Sequence, residues 1–95
     1  MKKIVLNDTD ILVYRKGSGD TIEIYDIAVY SVRRVGNGTS LFKQLLKEVD
    51  EKRIFAITRK ENENAQHFYN KLGFKGYDLP RFYPDGDAMI FIYDR

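Results

Sequence analysis

Apolar and polar positions change period several times along this chain, and each change marks an element. Lys3 to Leu6 and Ile11 to Lys16 read as two short strands, joined at Asn7-Asp8-Thr9-Asp10, a cluster with turn chemistry. Gly17-Ser18-Gly19-Asp20 reads as a second hairpin loop. A third strand, Thr21 to Tyr30, starts with strict alternation: Ile22, Ile24 and Asp26 face one way, Glu23, Tyr25 and Ile27 the other. Ile27-Ala28-Val29 breaks that alternation, as a bulge or a strand buried on both faces does.

The period then lengthens. Leu41, Phe42, Leu45, Leu46 and Val49 fall on one stripe, with Lys43, Lys47 and Glu48 mostly opposite, which predicts an amphipathic helix from Thr39 to Asp50. A short strand, Arg53 to Thr58, follows. Asn62 to Leu72 predicts a second helix with Ala65, Phe68, Tyr69 and Leu72 on its buried face, and Gly73 as its C-terminal stop. Phe74 to Tyr77 and Ala88 to Tyr93 close the chain as strands, separated by a long loop carrying both prolines. The order β-β-β-α-β-α-β-β is a mixed α/β (α+β) fold with a mainly antiparallel sheet and two helices.

Composition narrows the chemistry more than the fold. The 95 residues make one domain, 1–95, with no repeat, linker or low-complexity tract. Cysteine is absent, which excludes a disulfide framework, a thiolate zinc site and a cysteine nucleophile, and a single histidine argues against a protein-built zinc or haem site. A formal charge of +2 does not imply nucleic acid, and no apolar run approaches the ~20 residues of a membrane span. The run behind Met1-Lys2-Lys3 is far too short for a signal peptide, so the expectation is a soluble, cytoplasmic protein.

One segment carries candidate chemistry: Arg33-Arg34-Val35-Gly36-Asn37-Gly38-Thr39, between the third strand and the first helix. Gly36 and Gly38 let a backbone turn tightly and approach a ligand, and the helix start offers unpaired N–H groups and a positive dipole end. With the arginines beside it, the segment suits a pyrophosphate or a similar anion. Gly36-x-Gly38-x-x-Leu41 lacks the third glycine of a dinucleotide fingerprint, and no Gly-Lys-Ser/Thr follows to make a Walker loop.

Arg33-x-x-Gly36-x-Gly38, after a strand and before a helix, resembles the acetyl-CoA loop of the GNAT family of N-acetyltransferases. Asn64-Ala65-Gln66-His67-Phe68-Tyr69-Asn70-Lys71-Leu72-Gly73-Phe74 resembles that family's later helix and the strand after it. Tyr83-Pro84-Asp85-Gly86-Asp87-Ala88-Met89 is similar to the branch that acetylates protein N-termini, ribosomal proteins included. The resemblance runs from Ile11 to Tyr93. It departs from the family at the start: only ten residues precede the second predicted strand, so the usual first strand and the two helices that wall the acceptor pocket are expected to be missing.

The resemblance implies a function. Acetyl-CoA would be held by Arg33, Arg34, Val35, Gly36, Asn37, Gly38 and Thr39, with the strand at Ile27, Ala28 and Val29 pairing with the pantetheine arm and polarising the thioester carbonyl. Tyr69 is the family position for a phenol that protonates the departing thiolate, although helix spacing alone places it in the core. Glu23 aligns with a glutamate that some relatives use as general base; the alternative is a solvated charge, and Asp26, expected on the other face and nearer the cofactor end, competes for the role and is also a candidate substrate contact. Asn64 is either the contact to a pantetheine amide or a first-turn polar residue. Tyr83, with the loop from Pro80 to Asp87, clasps a peptide N-terminus or is an ordinary hairpin connection. His67 receives no role, and Arg53, Arg59 and Lys60 decorate strand ends. No metal, nucleic acid or membrane enters this reading. Its expected acceptor is a primary amine, a protein N-terminus or lysine, and a homodimer would complete the acceptor site. The alternative is a regulatory or adaptor protein that binds acetyl-CoA with weak or no transfer.

Overall fold

Hairpins make antiparallel neighbours and a helical crossover makes a parallel pair, and this chain uses both. The structure is a computed structural model and describes residues 1–6, 9–29 and 37–95. Its elements are β1 (Lys2–Leu6), β2 (Asp10–Lys16), β3 (Thr21–Ala28), α1 (Asn37–Glu48), β4 (Arg53–Arg59), α2 (Glu63–Leu72), β5 (Lys75–Tyr83) and β6 (Gly86–Asp94). They form one six-stranded sheet in the order β1-β2-β3-β4-β6-β5. Only β3 and β4, joined through α1, run parallel.

Both helices lie on one face of the sheet. Phe42 of α1 meets Phe74 and Tyr93 at ring-centroid distances of 5.2 and 5.1 Å. Tyr69 of α2 meets Phe74 at 5.1 Å and stacks on Phe91 at 5.5 Å. Leu12, Leu41, Leu45, Ile54 and Phe91 are fully buried between the layers. Each such side chain contributes ~1.5–3 kcal/mol of transfer free energy. The opposite face carries Val13, Phe55, Ile57, Ile90 and Ile92, half-buried, and Tyr77, exposed; among the described residues no helix covers them.

The helix ends are satisfied by identifiable groups. Asn62 caps α2, its side-chain oxygen accepting from the Ala65 N–H at 3.1 Å. Gly73, at φ 99°, ends it as the sequence predicts, with the Phe74 N–H donating to the Tyr69 carbonyl at 3.0 Å. The end of α1 and the segment that follows it are met from far along the chain. Arg95 donates to Leu46 O at 2.9 Å and to Glu51 O at 3.0 Å, and also to Val49 O.

Three expectations need correction. The long proline loop is a hairpin: β5 extends through Pro80 to Tyr83, and only Pro84 and Asp85 separate it from β6. Pro80 fits because β5 is an edge strand whose register breaks between Leu79 and Tyr83, where a missing N–H costs no ladder bond. Arg81 beside it takes φ 58°, and its N–H donates to the Asp87 carboxylate at 2.8 Å. The irregularity in β3 falls earlier than Ile27-Ala28-Val29. Ile24 pairs with Tyr14 and Asp26 with Val13, so Tyr25 is the extra residue. That bulge reverses the facing expected beyond it. Ile27 joins Leu12 on the helix side, and Asp26 shares the open face with Glu23. Tyr30, expected to end this strand, lies outside the described residues.

Candidate active site

The bulge at Tyr25 also sets how far β3 and β4 stay together. Their registered pairs run from Thr21–Arg53 to Ile24–Ala56 and stop, although β3 continues to Ala28 and β4 to Arg59. A bulge bends its strand and increases its twist, so the two strands part where the extra residue sits. The parting leaves two facing strand edges whose backbone groups do not bond each other.

Two cavities occupy this gap. One, of about 250 Å³, is lined by Asp26 and Ile27 of β3, Ile57, Thr58 and Arg59 of β4, and Asn62, Ala65 and Tyr69 around α2, with Tyr83 at its rim. The other, of about 320 Å³, continues over α2 and is bounded by Ile27, Val29, Asn62, Asn64, Phe68 and Tyr69. Ile27, Asn62, Ala65 and Tyr69 face both cavities, so the pair forms a continuous slot. Thr58 Oγ1 is buried in it without a hydrogen-bond partner, the only such side-chain atom among the described residues. A buried hydroxyl with no partner is costly, which makes it a waiting contact for a polar ligand.

Tyr69 sits at the junction, buried and packed on Phe74, Phe91 and Phe68. Burial, with a smaller push from the Asp26 charge, raises its phenol well above the ordinary value. It therefore keeps its proton throughout the neutral range and can act as an acid. This side chain is at once part of the packed core and part of the cavity lining.

The first turn of α1 borders the slot through Phe68. A Cβ on Gly38 would lie 2.5 Å from the Phe68 ring, so glycine here permits the two helices to approach. Asn37, Gly38 and Thr39 all fall within α1, whose first turn has no acidic residue. Arg33, Arg34, Val35 and Gly36 lie outside the described residues. Ile27 and Val29 line the slot, and Ala28 is opposite Ile11 of β2. Asn64 lines the larger cavity only.

Glu23 is not gathered into this slot. It lies in the paired half of β3, opposite Phe55, and accepts from Arg15 Nε at 2.7 Å. Asp26 and Tyr83 do reach the smaller cavity. Sequence reasoning missed three residues. Asn62 faces both cavities, and its place as helix cap was the available signal. Thr58 had no sequence signal. Arg59, assigned to a strand end, lines the smaller cavity, stacks its guanidinium 4.2 Å from the Tyr83 ring centroid and pairs with Asp85 at 3.1 Å.

Comparisons with known proteins identify the family of this α/β domain, in which a bulged strand parts from its parallel neighbour beside a buried tyrosine. A sequence model described as the acetyltransferase (GNAT) family matches residues 5–74, and the chain belongs to that family. Ard1 from Thermoplasma volcanium is 27% identical, with a TM-score of 0.74 over 90% of this chain and 62% of that one. The ribosomal-protein-S18-alanine N-acetyltransferase from Escherichia coli is 23% identical, with a TM-score of 0.74 over 95% of this chain and 64% of that one. A Bacillus subtilis acetyltransferase solved in complex with CoA is 19% identical, with a TM-score of 0.79 over 98% of this chain and 74% of that one. The chain thus spans less than two thirds of the length of the first two. No curated protein matches it in a sequence search. The six-stranded mixed sheet with two helices is the expected fold. Among the described residues, no helix is long and apolar enough to cross a membrane.

Proposed function

We propose that this protein is an acyl-CoA-dependent N-acetyltransferase that acetylates a primary amine, a protein N-terminus or lysine. The observation that carries the reading is the slot between β3 and β4, with Tyr69 at its centre, in a GNAT chain. The residues present suit acetyl-CoA. Two strand edges with free backbone groups match an extended arm bearing amides, and Thr58 Oγ1 and the Asn62 and Asn64 amides add polar contacts. When bound, acetyl-CoA supplies an activated thioester. The likeness to a CoA complex supports the same ligand class here.

Within the slot the chain's own groups divide the work. The backbone of Ile27, Ala28 and Val29 offers an N–H to polarise a carbonyl, a preorganised dipole. Arg33, Arg34 and the segment through Thr39 hold the phosphates, helped by the positive end of α1. Tyr69 keeps its proton at neutral pH and would donate it to the departing thiolate as the carbon–sulfur bond breaks. Tyr83 stands at the rim where the acceptor enters.

Asp26 on the uncovered face of the sheet lines the smaller cavity, which suits a macromolecular amine that brings its own walls, or a second copy of this chain. The E. coli relative's action on a ribosomal-protein alanine supports a protein N-terminus as acceptor. Calorimetric titration of acetyl-CoA tests the reading. One-to-one binding is expected, followed by CoA thiol release only when an amine is added. Binding without thiol release across peptide and lysine amines would instead mark an acetyl-CoA-binding adaptor, and no binding would end the acyl-CoA reading.

A further inference from the structure

The slot contains a carboxylate that the resemblance does not single out as the base. We propose that Asp26, rather than Glu23, receives the acceptor amine, pairing with its ammonium form and removing its proton. The proposal rests on the acetyl-transfer reading above and assigns one side chain within it.

Geometry separates the two carboxylates. Glu23 lies below the last closed rung of β3 and β4, is bonded to Arg15 at 2.7 Å, and lines neither parting-gap cavity. Asp26 lies one residue beyond the bulge, where the strands have parted, and lines the same cavity as Tyr69. Among the described residues it makes no salt bridge. Its charge is felt at the Tyr69 phenol. A carboxylate on the open side of the slot and a phenol within it are the two proton stations that amine acetylation needs.

The bulge supplies the reason that Asp26 is available. Uninterrupted alternation would turn Asp26 to the helix side with Ile24, where an unpaired carboxylate is costly. One extra residue turns it to the open face, toward the uncovered side of the sheet. Charged and titratable groups facing the same cavity are Tyr25 from β3, Arg59 from β4, Tyr69 from α2 and Tyr83 from β5. Arg59 is the one cation of this set, and its guanidinium is engaged by Asp85 and Tyr83. The balance of the step is simple. The ammonium proton passes to the Asp26 carboxylate and on to water. The nitrogen lone pair forms the carbon–nitrogen bond, the carbon–sulfur bond breaks and Tyr69 protonates the sulfur, while the second proton that the nitrogen loses on becoming an amide returns through water to the Tyr69 phenolate.

The test compares wild type, Asp26→Asn and Glu23→Gln with two readouts. The first is calorimetric binding of a short peptide with a free N-terminus to the protein saturated with CoA, with the N-acetylated peptide as control. Asp26→Asn is expected to weaken free-amine binding roughly tenfold, the loss of one charge-assisted contact, while Glu23→Gln binds as wild type does. The second is acetyl transfer between pH 6 and 9. Asp26→Asn is expected to lower kcat/KM by about 10²-fold or more and to shift the profile toward the pH at which the free amine titrates. CoA affinity and the melting temperature of both variants should stay at wild-type values, which excludes a folding artefact. Wild-type transfer with an unchanged Asp26→Asn variant would overturn this assignment and leave the acetyltransferase reading standing. A wild type that transfers to no amine overturns the reading and the assignment together.

Discussion

The lower and upper halves of the β3–β4 pair use the same two strands for opposite ends. In the lower half, from Thr21–Arg53 to Ile24–Ala56, the backbones pair, and Ile22, Ile24, Ile54 and Ala56 are buried under the helices. In the upper half the strands part, and the residues lining the gap are Asp26, Thr58, Arg59 and Tyr69. One bulged residue, Tyr25, separates core from site. Strand pairing stabilises this fold and would also seal its slot, so a single insertion in register gives both a closed core and an open site. The cost of unpaired backbone edges is confined to the few residues where a ligand could satisfy them.

The largest effect should come from breaking the closed half. Phe91 sits on the last sealed rung, opposite Ala56, and supports Tyr69 from below. Phe91→Ala should cost ~3–5 kcal/mol, measured as a fall in the urea midpoint, and should remove much of a small domain's stability. A fall below 1 kcal/mol would mean that the upper half, rather than this rung, holds the layers together.

Next comes the open half. Tyr69→Phe keeps the ring contacts and deletes the proton. The acid role predicts a loss of about 10²-fold or more in kcat, with acetyl-CoA affinity kept. A core role predicts almost no kinetic change. The raised phenol pKa adds a second signature. The folded state holds this proton more tightly than the unfolded chain does, so its contribution is complete below the ordinary phenol value of about 10 and is lost as pH rises beyond it. Unfolding measured from pH 9 to 11 should show wild type losing stability more steeply than Tyr69→Phe. Parallel curves would contradict the burial of that hydroxyl.

The smallest effect should sharpen the border between the halves. Gly38→Ala pushes a methyl against the Phe68 ring and should cost ~1–3 kcal/mol by overpacking. Combining it with Phe68→Ala, which removes the ring, should recover part of that loss in a double-mutant cycle. Additive losses would show that the helices do not press together there. The same contact means that a bulky residue at Gly38 tests packing as much as anion binding.

Most of the architecture was legible in the chain. The 3.6-residue stripe of Leu41, Phe42, Leu45 and Val49, and the stop at Gly73, are local signals, and the structure keeps both. The two facing periods were read correctly up to Ile24. The reading failed at Tyr25 because a bulge is a property of two strands: nothing in Ile24-Tyr25-Asp26 alone says that one residue has no partner in β2. It failed at Pro80 for a related reason. A proline forbids a central strand but not an edge strand, and edge position is decided by sheet order.

The candidate site divides the same way. Tyr69, Asn64 and Tyr83 were singled out from their motifs, and the structure lines the cavities with them; Asn62, Thr58 and Arg59 line them too but were not singled out, because what marks them is facing a gap between strands distant in sequence. By itself, then, the sequence determined the element order, the apolar stripes, the helix stops and the family, all of which depend on spacing along the chain. Tertiary structure alone decided where β3 leaves β4, which carboxylate enters the slot, and which hydroxyl lies buried without a partner. Those depend on which backbone edges meet and which do not, and pairing between remote segments leaves no mark on local spacing.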